Sequence, residues 1–192
     1  MRHIRLATAF AFGLALLIAI GSGGRAAPSV PRAHASIAGA PGSGISGEAR
    51  LVQTGDGFLP TVQVIVHLEG LEPNTVHGVH IHENGSCSDT AVPFGGAGGH
   101  FDPGPFGNSN PDANHPFHMG DLPSLEANGA GRAVFEHRTS RITLSPGPLS
   151  LFDANGSAII IHLNPDQGIP GPAGSGVSGG PRIACGLIEM ED

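Results

Sequence analysis

Gly78-Val79-His80-Ile81-His82-Glu83 is the stretch on which the reading of this chain turns. In an extended strand, residues i and i+2 point to one face, so a strand over Val76 to Glu83 presents His80 and His82 side by side. Two imidazoles so placed form a chelating pair. Imidazole nitrogen suits copper and zinc, and either ion needs further ligands from elsewhere in the chain. The stretch opens a longer segment, Gly78 to Asp121, that holds five histidines (His80, His82, His100, His115 and His118) and ends on Asp121.

Outward from it, the chain reads as short strands. Candidates are Ser36 to Gly39, Ile45 to Gln53, Thr61 to Leu68, Val76 to Glu83, Leu122 to Ala127, Gly131 to His137, Ala158 to Leu163 and Arg182 to Glu189. Gly55-Asp56-Gly57, Pro73-Asn74 and Asn128-Gly129 supply turn signals between them. Val62 to Leu68 alternates as a half-exposed strand does, whereas Ala158 to His162 is continuously apolar and reads as covered. Helical periodicity is weak after residue 36, so the 31 glycines and 17 prolines read as turns between strands. This predicts an all-β, eight-stranded antiparallel sandwich or barrel. Two long segments, Asp89 to Asp121 and Asn164 to Pro181, lack strand character, and loops of that length in a compact domain are usually functional.

The N-terminus reads as an address. Arg2 and Arg5 precede an apolar run from Leu6 to Ile20, then Gly21-Ser22-Gly23-Gly24, the layout of a secretory signal. The run falls short of the roughly 20 apolar residues a membrane-spanning helix needs, and retention as an uncleaved anchor is the alternative. Cleavage is expected near Gly21 to Gly24 or after Ala33-His34-Ala35, giving a leader within residues 1–35 and a domain over 36–192. No cysteine lies there to take a lipid anchor. The expected location is therefore outside the cytoplasm: periplasm, cell envelope or secreted. The chain has no lysine, and residues 1–35 hold four of its nine arginines and none of its sixteen acids, so the remainder carries a formal charge of −11. So acidic a domain excludes nucleic acid and anionic membranes as partners.

Cys87 and Cys185 are the chain's two cysteines. Export favours a disulfide over two buried thiols, the other reading of the pair.

Five motifs, taken in order, carry a family resemblance: Gly78 to Glu83, Gly99-His100-Phe101-Asp102-Pro103, His118-Met119-Gly120-Asp121-Leu122, His162 with Asp166, and Gly180-Pro181-Arg182-Ile183-Ala184-Cys185-Gly186. Over about Ile37 to Ile188 the chain resembles copper/zinc superoxide dismutase. The resemblance implies a Greek-key barrel and dismutation of superoxide to dioxygen and hydrogen peroxide. It implies copper on His80, His82, His100 and His162, and zinc on His100, His118 and Asp121, with His100 shared and central to catalysis. Asp166 would join His80 to a zinc histidine, Arg182 would guide the anion to copper, and Cys87 and Cys185 would form the family disulfide. The second zinc histidine departs from the family's spacing. The candidate is His115, three residues before His118; the competing reading is a loop histidine bonded to backbone.

Other histidines read as non-ligands: His3 and His34 in or beside the leader, His67, His77 and His137 on the surface or in turns. Glu83 lies off the ligand face, and Phe101, Phe106 and Phe117 are expected to pack the long loop. Gln167 to Pro181 carries no charge, which predicts slower encounter with an anionic substrate than a steered channel gives. The competing function is an exported domain of the same fold that binds or passes on copper without catalysis. The family's dimers leave homodimer and monomer both open.

Overall fold

The computed structural model describes residues 30–55 and 59–192; the apolar leader, with His3, and the Asp56-Gly57 part of one expected turn lie outside them. The strands are β1 (Arg32–Gly39), β2 (Ser46–Thr54), β3 (Thr61–Glu69), β4 (Val76–His82), β5 (Asp121–Glu126), β6 (Ala133–Thr139), β7 (Ala158–His162), β8 (Arg182–Leu187) and a two-residue β9 (Glu189–Met190). All pairs are antiparallel, in the order β5-β4-β7-β8-β1-β2-β3-β6, with β9 on β1. The sheet curls until its two outer strands, β5 and β6, come against each other without pairing. The result is the expected eight-stranded Greek-key barrel, closed except along one seam.

Alternation selects what is inside. Ala49 and Leu51 on β2, Val62, Val64, Val66 and Leu68 on β3, Val79 and Ile81 on β4, and Ile159 and Ile161 on β7 fill the barrel. Burial of each large aliphatic among them contributes about 1.5–3 kcal/mol. β4 from His77 onward and β7 throughout are also covered on their outer faces, because the two long loops fold back over them.

Two strand starts shift by two residues or more, and one irregular segment enters the core. β1 begins at Arg32, not Ser36: Ala33 and Ala35 point into the core and pair with Leu51 and Ala49. Residues 32–35 therefore pair as part of the barrel. The small alternating alanines that resemble a processing site are core positions of a strand. β6 begins at Ala133, since Gly131 holds φ 69° in the preceding turn. Residues 140–157, without strand periodicity, nevertheless send Ile142, Leu144 and Leu151 into the core. Buried Gln53 fastens this segment, its Oε1 accepting from the amides of Leu144 (2.6 Å) and Ser145 (3.1 Å).

Candidate metal centre

The pleat of β4 drives Val79 and Ile81 inward and turns His80 and His82 out under the loops. His100 reaches them because its segment lies across β4: Phe101 N donates to Ile81 O (2.8 Å), Ile81 N to Gly120 O (2.9 Å), and His82 bridges His100. His162 ends the neighbouring strand β7. One ligand atom from each of His80, His82, His100 and His162 converges within 4.8 Å, all four residues being buried. His82 Nδ1 donates to Gly98 O (3.1 Å) and His162 Nδ1 to Gly180 O (2.9 Å), so each ring turns a bare Nε2 to the centre. Of these four rings, the nitrogens left without hydrogen-bond partners are His80 Nδ1 and Nε2 of His82, His100 and His162. A buried polar atom without a partner costs about 1–3 kcal/mol, and four aimed at one point are the donor set of a cation that prefers imidazole.

The other edge of His100 faces carboxylate. His100 Nδ1 lies 2.7 Å from Asp121 Oδ1, while His115 Nδ1 and His118 Nδ1 lie 3.2 and 2.9 Å from Asp121 Oδ2. His118 N donates to the same carboxylate at 3.0 Å. Ligand atoms of His80, His100, His115 and Asp121 also converge within 4.8 Å. His115 is thus brought to the carboxylate side of the cluster, its Nδ1 towards Asp121 and its Nε2 towards Asp166. Asp166 joins the halves, with Oδ2 2.8 Å from His80 Nε2 and Oδ1 2.7 Å from His115 Nε2.

Electrostatics divides the cluster the same way. Burial, then repulsion from His100, holds His80 down to about 4. Burial, against the pull of Asp121, holds His100 at about 4. His162 is lowered to about 3 by burial and then His80, and burial puts His82 well below the ordinary value. These rings are neutral electron-pair donors at pH 7. Burial also acts to lower His115, but Asp121 and Asp166 outweigh it and raise the ring to about 9. Asp121 itself is held far below the usual carboxylate range, its burial outweighed by the three rings around it. A carboxylate so placed would stabilise a dication in place of the protons it now shares.

Above His162 opens a cavity of about 710 Å³, lined by Asn110, Asn164, Gln167, Ser178 and Arg182 among others. Arg182 is half-buried; its Nη1 donates to Phe94 O (2.7 Å) and its Nη2 to Gly98 O (2.5 Å). The Gly98 carbonyl therefore orients both the guanidinium and His82. Cys87 and Cys185 are joined, with Cα atoms 5.7 Å apart, fixing the segment that carries those carbonyls to β8. Glu83 lies off the cluster and accepts from Gly99 N at 2.8 Å.

Some expectations fail here. His77 is buried, not superficial, bonded to Thr75 Oγ1 (2.7 Å) and the His162 carbonyl (2.8 Å); it braces β7 and is no ligand. Phe101 packs, but Phe106 is 97% and Phe117 61% exposed, because both sit on turns that project from the loop. Two residues unmarked by the sequence also shape the site. Asp112 accepts from Gly176 N (3.0 Å), Ser178 N (3.2 Å) and Ser178 Oγ (2.9 Å), tying one long loop to the other. Arg141 donates to the carbonyls of Pro116 and His118. A polar or basic residue in an irregular segment carries no periodic signal that would single it out.

Residues 45–188 match the family model described as copper/zinc superoxide dismutase (SODC). Cu-Zn superoxide dismutase 2 of Aquifex aeolicus is 36% identical over 160 residues, 82% of this chain and 86% of the relative. Cu-Zn superoxide dismutase 1 of Salmonella typhimurium is 38% identical over 148 residues, 74% and 77% of the two chains. The crystal structure of an SOD-like protein from Bacillus subtilis superposes with TM-score 0.64 at 29% identity, covering 80% of this chain and 96% of that one. With the barrel, the two-sided histidine cluster and the matched residues in agreement, this chain belongs to the copper/zinc superoxide dismutase family.

Proposed function

We propose that His80, His82, His100 and His162 hold the copper and that His100, His115, His118 and Asp121 hold the zinc of a superoxide dismutase, with His100 shared. The observation that carries this assignment is the pair of edges on His100: a bare Nε2 facing three other bare nitrogens, and Nδ1 at 2.7 Å from Asp121. When bound, copper would supply the one-electron cycle by which superoxide is dismuted to dioxygen and hydrogen peroxide, and zinc, which is redox-inert, would act as a structural ion. The protein supplies the rest. His100 Nε2, buried and aprotic in the pocket, is placed to take up and return a proton on the copper-facing edge. Arg182, permanently charged at the cavity wall, attracts the superoxide anion and not neutral dioxygen. Asp166 fixes the ring planes of His80 and His115, and the loops shut bulk water from every ring.

A copper-binding domain without catalysis needs neither Arg182 at an open cavity nor a second, carboxylate-bearing half. We further propose that the chain is exported, supported by Arg2 and Arg5 before the apolar run and by the disulfide, with cleavage before Arg32 because β1 starts there. The absence of lysine and the acidic charge speak against nucleic acid and anionic membrane as partners.

The test is metal content by mass spectrometry together with superoxide consumption. His82→Ala is expected to lose copper and activity; Arg182→Ala is expected to keep both metals and lose on the order of a hundredfold in rate. An unchanged rate in His82→Ala refutes the assignment.

A further inference from the structure

We propose that Arg141 is a positioning residue for the zinc half of the centre, holding the chain corner that carries two of its donors; this rests on the reading that His115 and His118 are zinc ligands. Arg141 stands two residues beyond the end of β6, and its Nη1 donates to both Pro116 O and His118 O at 3.1 Å. Those carbonyls belong to His115-Pro116-Phe117-His118, a tight corner in which Phe117 N bonds Asn114 O (2.9 Å) and Asn114 adopts φ 64°.

The side chains of His115 and His118 are held by Asp166 and Asp121, and His118 O also accepts from Asp121 N (3.3 Å), whereas Arg141 is the side chain that donates to the carbonyls of both Pro116 and His118. Phe117 is mostly exposed, so the apolar hold on the corner comes from Met119, just beyond it, which packs against the core. The corner leads into β5, which with β6 lines the seam where the barrel makes no strand pairing. A groove of about 600 Å³ runs there, between Leu122 and Ser124 on one side and His137 and Arg138 on the other. Arg141 reaches from the β6 side of the gap to the β5 side with hydrogen bonds that its charge strengthens about twofold over neutral ones.

The sign of its effect separates two roles. As a charge alone, a guanidinium near a zinc site repels the dication, so removing it would tighten zinc. As a positioning group it holds His115 and His118 at their shared carboxylate, so removing it loosens zinc.

The experiment measures zinc affinity by chelator competition on the disulfide-intact chain for wild type, Arg141→Met and Arg141→Lys. Copper affinity, the visible spectrum of cobalt(II) placed in the zinc position, and the far-UV CD melt of the metal-free protein are read alongside. Arg141→Met is expected to weaken zinc about 10–100-fold and distort the cobalt spectrum while copper affinity stays within about twofold, with partial recovery in Arg141→Lys. If Arg141→Met does not fold, Arg141→Lys carries the test, with a smaller zinc loss at unchanged copper affinity expected. Unchanged or tighter zinc binding, or an equal loss for copper, overturns the proposal. His115→Ala separates the failures: if it too leaves zinc affinity unchanged, the ligand assignment falls; if it weakens zinc while Arg141→Met does not, only the role of Arg141 falls.

Discussion

Lowering the pH of the metal-free, disulfide-intact protein from 6.5 towards 4 is expected to destabilise it steeply. His80 is held at about 4 against an ordinary 6.5, so over that interval the unfolded chain binds a proton the native ring refuses, and stability falls with pH. At about 1.4 kcal/mol per pH step, this ring alone removes about 3 kcal/mol once pH is below both values. His100, at about 4, and His162, at about 3, act in the same direction. Their effects do not simply add, since part of each is mutual repulsion, but together they are comparable with the whole stability of a domain, about 5–15 kcal/mol. On the alkaline side the sign reverses. His115, raised to about 9, contributes stability that is fully present below 6.5 and lost as pH rises through 9. The metal-free protein is therefore most stable near pH 6.5. Urea titrations at pH 4.5, 6.5 and 9.5 after chelation measure this, followed by far-UV circular dichroism because the chain has no Trp and no Tyr. Stability at pH 4.5 equal to that at pH 6.5, or rising from 6.5 to 9.5, refutes the reasoning. Metal loading extends the acid limb downward, because protons must then compete with the ions for the same nitrogens.

Cys185→Ser opens a loop spanning 98 residues and is expected to cost up to about 5 kcal/mol in the chain-entropy model, read by urea denaturation of metal-free protein; a loss under about 1 kcal/mol would contradict it. Asp112→Ala strands the Gly176 and Ser178 amides and is expected to cost about 1–3 kcal/mol. It also speeds hydrogen exchange at those amides, and unchanged exchange there would show that Asp112 does not tie the loops together.

The barrel is legible because its strands alternate and its turns are marked, and the His80–His82 pair because a strand's two-residue repeat sets the two rings side by side whatever the rest of the chain does. What escaped was non-periodic. Ile142, Leu144 and Leu151 enter the core from an irregular segment, and burial there depends on where the barrel leaves room. Ala33 and Ala35 obey the alternation but are small enough to pass for a processing site. His77 reads as a surface or turn residue because its burial comes from contacts such as that with the His162 carbonyl, which no local pattern reports. His115, an imidazole near His118, is expected at the centre from its chemistry and stands beside Asp121 and Asp166, while Arg141 and Asp112 act through backbone groups that any sequence possesses.

Asp166, with one oxygen on His80 and the other on His115, has a thermodynamic corollary. An ion held on either side would further restrict a carboxylate that already bonds both rings, and the ring across from it would then lose less freedom when its own turn came. Uptake of the two metals would on this account be cooperative. The factor by which zinc sharpens copper affinity must equal the factor by which copper sharpens zinc affinity.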